Sequence, residues 1–136
     1  KRENRLNTSM FFIVRKRPLL ENMMNFDETA EFEKEFKRLF KKYKTLDDDF
    51  EKFKEVLITT PTGVGKNFIV VHSSAKVKVV KAHLACRALR NNHLLRIIYF
   101  YFEQQQQIEF IELYFKGDKE NEDRERIKAY LKNHQN

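Results

Sequence analysis

Apolar side chains recur at helical spacing through Phe32, Phe36, Leu39, Phe40 and Tyr43, with Glu, Lys and Arg between them. That period predicts an amphipathic helix, with Thr29 three residues ahead of Phe32 as its N-cap and residues 24–29 as a short first strand. Leu46, Phe50, Phe53 and Leu57 mark a second helix. Thr45 and Asp48 read as a capping box with Asp in place of Glu, and Asp47, Asp48 and Asp49 suit the positive end of the helix dipole. The same acidic triplet invites a metal-site reading, but consecutive helical residues face different directions. The helix start is the better account.

Residues 59–67 form a loop punctuated by Pro61, Gly63 and Gly65. Beyond it the pattern changes to strand. Phe68 to His72, Val77 to Ala85, Leu95 to Phe102 and Ile108 to Phe115 are rich in β-branched and aromatic residues. Gln104 to Gln107 interrupts the last two and predicts a hairpin turn. Helical spacing returns from Glu120 to His134, with Ile127, Tyr130 and Leu131 apolar. Helices, then a meander, then a closing helix predict an α+β layer of helices on a sheet of about four strands.

At 136 residues the chain has single-domain length. Thirteen Phe and no Trp make phenylalanine the main core filler. Cys86 is the only cysteine, which precludes an intrachain disulfide and a cysteine-based zinc site and suits a reducing, cytoplasmic setting. No apolar run approaches the roughly 20 residues of a membrane span, so no membrane partner is expected. The net charge of +7 favours polyanionic or acidic partners, but +4 of it lies in residues 1–22. That segment lacks periodicity. It reads either as a basic extension ahead of the domain at 23–136, with Met23 and Met24 at the boundary, or as an arm that binds phosphates. Met10 to Val14 would add an edge strand in either case.

The stretch Pro61 to Asn67 resembles a nucleotide-binding loop only in passing. The motif needs Gly, four residues, then Gly-Lys and Ser or Thr. Here Thr60 stands five positions before Gly65, and Asn67 follows Lys66. A helix precedes and a strand follows, the reverse of the required order, so no nucleotide cofactor is expected.

Cations crowd the second half of the chain. Lys76, Lys78, Lys81, His83, Arg87 and Arg90 run through and past one strand, Arg96 begins the next, and Lys116 and Lys119 follow the last. Strand alternation predicts Lys81, His83 and Arg87 on one face, with Arg96 joining from a neighbour. Such a cluster holds a phosphate through charge-assisted hydrogen bonds. A solvated sheet face, kept soluble by lysine, has the same pattern.

Residues 23–133 resemble the RelE/ParE superfamily of bacterial and archaeal toxins. The resemblance rests on the order and spacing of several blocks: Phe32 to Leu39, Val80 to Leu84, Leu95 to Tyr99, and Ile111 to Asp123. It implies two N-terminal helices packed on an antiparallel sheet, with a mobile C-terminal helix. For RelE-like members it implies the toxin of a type II toxin–antitoxin pair that cleaves messenger RNA on the ribosome. The ribose 2′-hydroxyl attacks the adjacent phosphate, and neither a metal nor another cofactor takes part. A cognate protein antitoxin, messenger RNA and the ribosome are the implied partners. Lys81 and His83 match the basic positions of the central strand, and Arg96 matches the arginine opening the next. Lys116 falls near the C-terminal basic site and completes the catalytic set. Lys76, Lys78, Arg87, Arg90 and Lys119 are the expected RNA contacts. The arginine and tyrosine of that C-terminal site are not clearly matched, which leaves the acid unassigned; Tyr130 is a helix-borne candidate. ParE-like inhibition of DNA gyrase without RNA cleavage, and a toxin relic kept as a binding module, are the alternatives.

Overall fold

The helical period beginning at Phe32 folds as expected in a computed structural model of the chain, which describes residues 24–90 and 94–134. The segment 1–22 and His93 lie outside the described residues. The elements are β1 (Asn25–Glu28), α1 (Ala30–Lys42), α2 (Leu46–Thr59), β2 (Phe68–Ser73), β3 (Lys78–Leu84), β4 (Leu95–Phe102), β5 (Gln107–Phe115) and α3 (Arg124–His134). The strands form one sheet in the order β1-β5-β4-β3-β2. The expected antiparallel sheet of about four strands is therefore five-stranded and mixed, because β1 runs parallel to β5. Its four residues are too few to announce their partner. The Asn25 N–H donates to the Gln106 carbonyl and the Thr29 N–H to the Phe110 carbonyl, fixing the pairing at both ends.

Helices α1 and α2 cover one side of the sheet. Phe32, Leu39, Leu46, Phe50, Phe53 and Leu57 pack against Val80, Ala82, Leu84, Leu95, Ile97, Tyr99, Phe110 and Leu113. Phe110 is the aromatic hub, with ring centroids 5.5 Å from Phe32, 4.9 Å from Phe50 and 6.0 Å from Tyr99. A smaller cluster on the other side, including Val79, Ile98, Phe100 and Ile111, is covered by Ile127 of α3. α3 is clasped to α1 by Arg126, which donates to both Glu35 oxygens at 3.1 and 2.8 Å, and by Tyr130, which donates to Glu31 at 2.5 Å. Tyr130, the helix-borne candidate for the acid, thus has its hydroxyl engaged by Glu31.

Thr29 caps α1 as expected, its hydroxyl accepting the Phe32 N–H at 3.1 Å. The capping box expected at Thr45 and Asp48 does not form. Thr45 has helical backbone angles and makes no side-chain cap. Its hydroxyl donates to Asp49 at 2.8 Å and accepts the Ala88 N–H at 3.0 Å. Asp49 is buried and accepts both the backbone N–H and Nε of Arg87, at 2.9 and 2.8 Å, while Asp48 accepts from Arg87 Nη2 at 2.6 Å. Two of the three acidic residues, Asp48 and Asp49, thus anchor the segment after β3 to the start of α2.

Burial pushes the Asp49 carboxyl up, but the Arg87 N–H, the Thr45 hydroxyl and the Arg87 guanidinium outweigh it and hold the group below its ordinary value. A carboxyl depressed in the folded state adds stability above its unfolded pKa and loses it as pH falls through the folded one. Asp49→Ala leaves the Arg87 N–H unsatisfied. It is expected to lower unfolding free energy by roughly 1–3 kcal/mol at pH 7, with the deficit shrinking in acid. Urea titrations at pH 7 and pH 3 measure both; an equal loss at the two pH values contradicts the assignment.

Residues 60–67 join α2 to β2 as a connector. The Tyr99 hydroxyl donates to the Pro61 carbonyl at 2.6 Å. Gly63 has a positive φ of 70°, and a Cβ there would overlap the Phe68 ring. Glycine in this loop therefore serves a tight turn against an aromatic ring.

Candidate active site on the sheet face opposite the paired helices

The site is set by strand register. His83 of β3 lies directly opposite Arg96 of β4, and Arg96 lies opposite Tyr114 of β5. In the next row, two residues along, Lys81 faces Ile98 and Ile98 faces Glu112. Because strands are about 4.8 Å apart and alternate residues share a face, His83, Arg96, Tyr114, Lys81 and Glu112 form one patch. Their neighbours Ala82, Leu84, Ile97 and Leu113 point into the α1–α2 core.

A β-bulge decides which β5 residues take part. Tyr99 pairs with Phe110 and Ile98 with Glu112, so Ile111 is the extra residue. The bulge reverses the alternation. Ile108 and Phe110 face the helices, and beyond Ile111 so does Leu113, turning Glu112 and Tyr114 outward. The displaced Ile111 carbonyl accepts Arg126 Nη1 at 2.9 Å and the Thr29 hydroxyl at 3.4 Å. Side chains from α3 and the α1 cap thus satisfy the group the bulge releases, and bulges of this kind re-aim side chains.

The patch is largely shielded. Arg96 is 9% exposed and Tyr114 3%, while Lys81 and His83 are half-buried. The Tyr114 hydroxyl is buried with no hydrogen-bond partner among the described residues. Burial first, and then the Glu122 and Glu112 carboxylates, push its phenol up to about 12, against the opposing pull of Arg96. Lys119 lies over the Tyr114 ring, 5.1 Å from its centre.

Two carboxylates temper the charge. Lys81 Nζ donates to Glu122 at 2.9 Å. Glu112 is fully buried; it accepts the Asp123 N–H at 2.8 Å and pairs with the Lys119 ammonium. Burial pushes Glu122 up, but Lys81 and Arg124 keep it below its ordinary value, so it stays ionised at neutrality. Lys81, Arg96 and Lys119 therefore stand against Glu112 and Glu122, leaving the patch weakly positive.

The structure brings together Lys81, His83 and Arg96 from the sequence-predicted residues, with Lys119 beside them. Arg87 is not on this face: β3 ends at Leu84, and Arg87 turns to Asp48 and Asp49 on the α2 side. Lys78 shares the helix-facing parity of Val80 and Ala82, opposite to Lys81. Lys76 and Arg90 are exposed outside the strands. Lys116 is exposed past β5, its N–H bonded to the Leu94 carbonyl. Sequence reasoning missed Glu112, Tyr114 and Glu122. Glu112 and Tyr114 share the parity of Phe110, and unbroken alternation would send all three into the same core. Among the described residues no group of three or more His, Cys, Asp or Glu gathers to hold a metal ion, and no helix is long and apolar enough to cross a membrane.

This architecture matches that of a solved structure, an archaeal RelE–RelB complex from Pyrococcus horikoshii OT3, with a TM-score of 0.55 at 18% identity over 70% of this chain and 97% of the other. The chain has a RelE-like fold. No protein-family model matches the sequence, and no curated protein matches it. At that identity the likeness reaches the RelE-like sheet and helices but not the side chains on them.

Proposed function

We propose that this chain is the toxin of a type II toxin–antitoxin system, an endoribonuclease that cuts messenger RNA at the ribosome and is held in check by a cognate antitoxin. The observation that carries the reading is the cross-strand row of His83, Arg96 and Tyr114 with Lys81 one row away. His83 takes the proton of the ribose 2′-hydroxyl, the role for which imidazole is the side chain of choice. The 2′-oxygen then forms its bond to phosphorus as the bond to the 5′-oxygen breaks, and the 5′-oxygen takes up a proton from water, giving a cyclic phosphate and a free 5′-hydroxyl. Arg96 grips the phosphate through its planar fork, and Lys81 adds charge as the transition state forms. Tyr114 stays a phenol at neutral pH and donates a hydrogen bond to the departing oxygen. Lys119 holds Glu112, and Lys76, Lys116 and Arg90 contribute only long-range attraction for RNA. RNA is required because DNA lacks the attacking hydroxyl.

On this reading Glu122 competes with the phosphate for Lys81. Glu122→Gln is expected to tighten binding of inorganic phosphate by about three- to tenfold, the scale of one partly exposed ion pair. Calorimetric titration measures it, and an unchanged affinity removes Lys81 from the anion site. The same two carboxylates are the feature that favours the second reading, inhibition of DNA gyrase without cleavage, because they neutralise cations a nuclease needs. Induced expression followed by mapping of RNA 5′ ends separates the two. New messenger ends with normal DNA topology support cleavage; DNA breaks with intact messengers overturn it.

A further inference from the structure

The bulge at Ile111 falls just past the end of β1, whose last residue, Glu28, pairs with Phe110. From there on two side chains, from helices on opposite sides of the sheet, take the place of a neighbouring strand. Glu35 of α1 accepts the Leu113 N–H at 3.0 Å, and Arg126 of α3 donates to the Ile111 carbonyl at 2.9 Å. They also bond to each other, Arg126 Nη1 and Nη2 donating to Glu35 Oε1 and Oε2 at 3.1 and 2.8 Å. The pair is largely shielded, with the Arg126 side chain 16% and the Glu35 side chain 20% exposed. It thus supplies one acceptor and one donor to backbone groups of two buried residues, which must be paired somewhere.

The bonds close into a ring. The bulge turns Glu112 outward, where its carboxylate accepts the Asp123 N–H at 2.8 Å. Asp123 Oδ1 accepts the Arg126 N–H at 3.0 Å in the first turn of α3. That turn carries Arg126 back to the Ile111 carbonyl. Each bond sets the geometry of the next, so the bulge and the start of α3 form one network. Tyr114 takes its direction from the same bulge. No hydrogen bond among the described residues holds its hydroxyl, so the backbone of β5 fixes where that hydroxyl points.

We infer that Glu35 and Arg126 are positioning residues: by bracing the Ile111 bulge, this ion pair outside the site holds Tyr114 in the row with Arg96 and His83. The role given to the Tyr114 hydroxyl rests on the ribonuclease reading; the bracing of its position does not.

The test uses the full chain carrying Arg126→Lys, which keeps the charge but loses the fork, or Glu35→Gln, which keeps an acceptor for the Leu113 N–H. Either variant decides the matter if the other fails to fold. Both are expected to speed hydrogen exchange at the Leu113 and Asp123 amides about three- to tenfold, the scale of one weakened hydrogen bond. On ribosome-bound messenger each is expected to lower kcat by roughly 10- to 100-fold, as a small misplacement of a reacting group does. KM is expected to stay within about twofold, because Tyr114 meets only the departing oxygen. In a Tyr114→Phe background the same substitutions are expected to change kcat by less than about twofold. A merely structural loss lowers kcat by the same factor in both backgrounds, and that result overturns the inference. Unchanged exchange at both amides overturns it as well. Faster exchange at both amides in a chain that cuts no messenger supports the bracing and overturns the nuclease reading alone.

Discussion

Replacing Arg96 with alanine is expected to lower messenger cleavage by roughly 10²–10³-fold, the usual loss when a transition-state donor is removed. Arg96 is the centre of the row, opposite His83 on one side and Tyr114 on the other. It is also 9% exposed. A guanidinium shielded from water interacts more strongly with a phosphate than a surface one does. Because a buried arginine also contributes packing, Arg96→Lys is the necessary companion. Lysine keeps the charge but loses the bidentate fork, so cleavage is expected to remain well below wild type while thermal stability is largely kept. His83→Gln is expected to cost roughly 10²–10⁴-fold and to flatten the pH dependence of cleavage near neutrality. Primer extension on a defined messenger bound to ribosomes reads all three variants. Full cleavage by a folded Arg96→Ala protein would refute the active-site assignment.

The second large effect is on stability. Phe110→Ala is expected to lower unfolding free energy by about 3–5 kcal/mol. Phe110 is fully buried and meets the rings of Phe26, Phe32, Phe50 and Tyr99. It joins both N-terminal helices, β1 and the central strands at one point, so little around it can collapse into the space left. Offset and edge-on ring contacts add to the transfer term. Chemical denaturation should show a lower midpoint at an unchanged slope. A loss below about 1 kcal/mol would mean that the core closes over the gap and that Phe110 is not its hub.

Much of the framework was legible because each element carries its own local signal. The i, i+4, i+7 spacing from Phe32 places α1 within a residue of its observed end. The β-branched runs place β4 at Leu95–Phe102 as read, and β2, β3 and β5 to within one residue. The side chain of Thr29 suffices to start α1. Thr45 failed as a cap because its hydroxyl has other partners, Asp49 one turn on and the Ala88 N–H from a distant part of the chain. Arg87 left the expected face for a related reason. Once β3 ends at Leu84 the two-residue alternation no longer applies, and two aspartates across the loop decide its direction.

Sequence periodicity by itself determined the α+β framework and put Lys81 and His83 on a common face, since residues two apart in a strand must share one. Tertiary structure alone decided what joins them. Register between β3 and β4 set Arg96 opposite His83. The extra residue at Ile111, whose carbonyl is held by Thr29 and Arg126, turned Glu112 and Tyr114 out of the core and onto that face. The pairing of Lys81 with Glu122 came from the connector between β5 and α3 folding back over the sheet. Alternation propagates within one strand, whereas a bulge and its compensating hydrogen bonds depend on residues 82 and 15 positions away, and no local pattern encodes them.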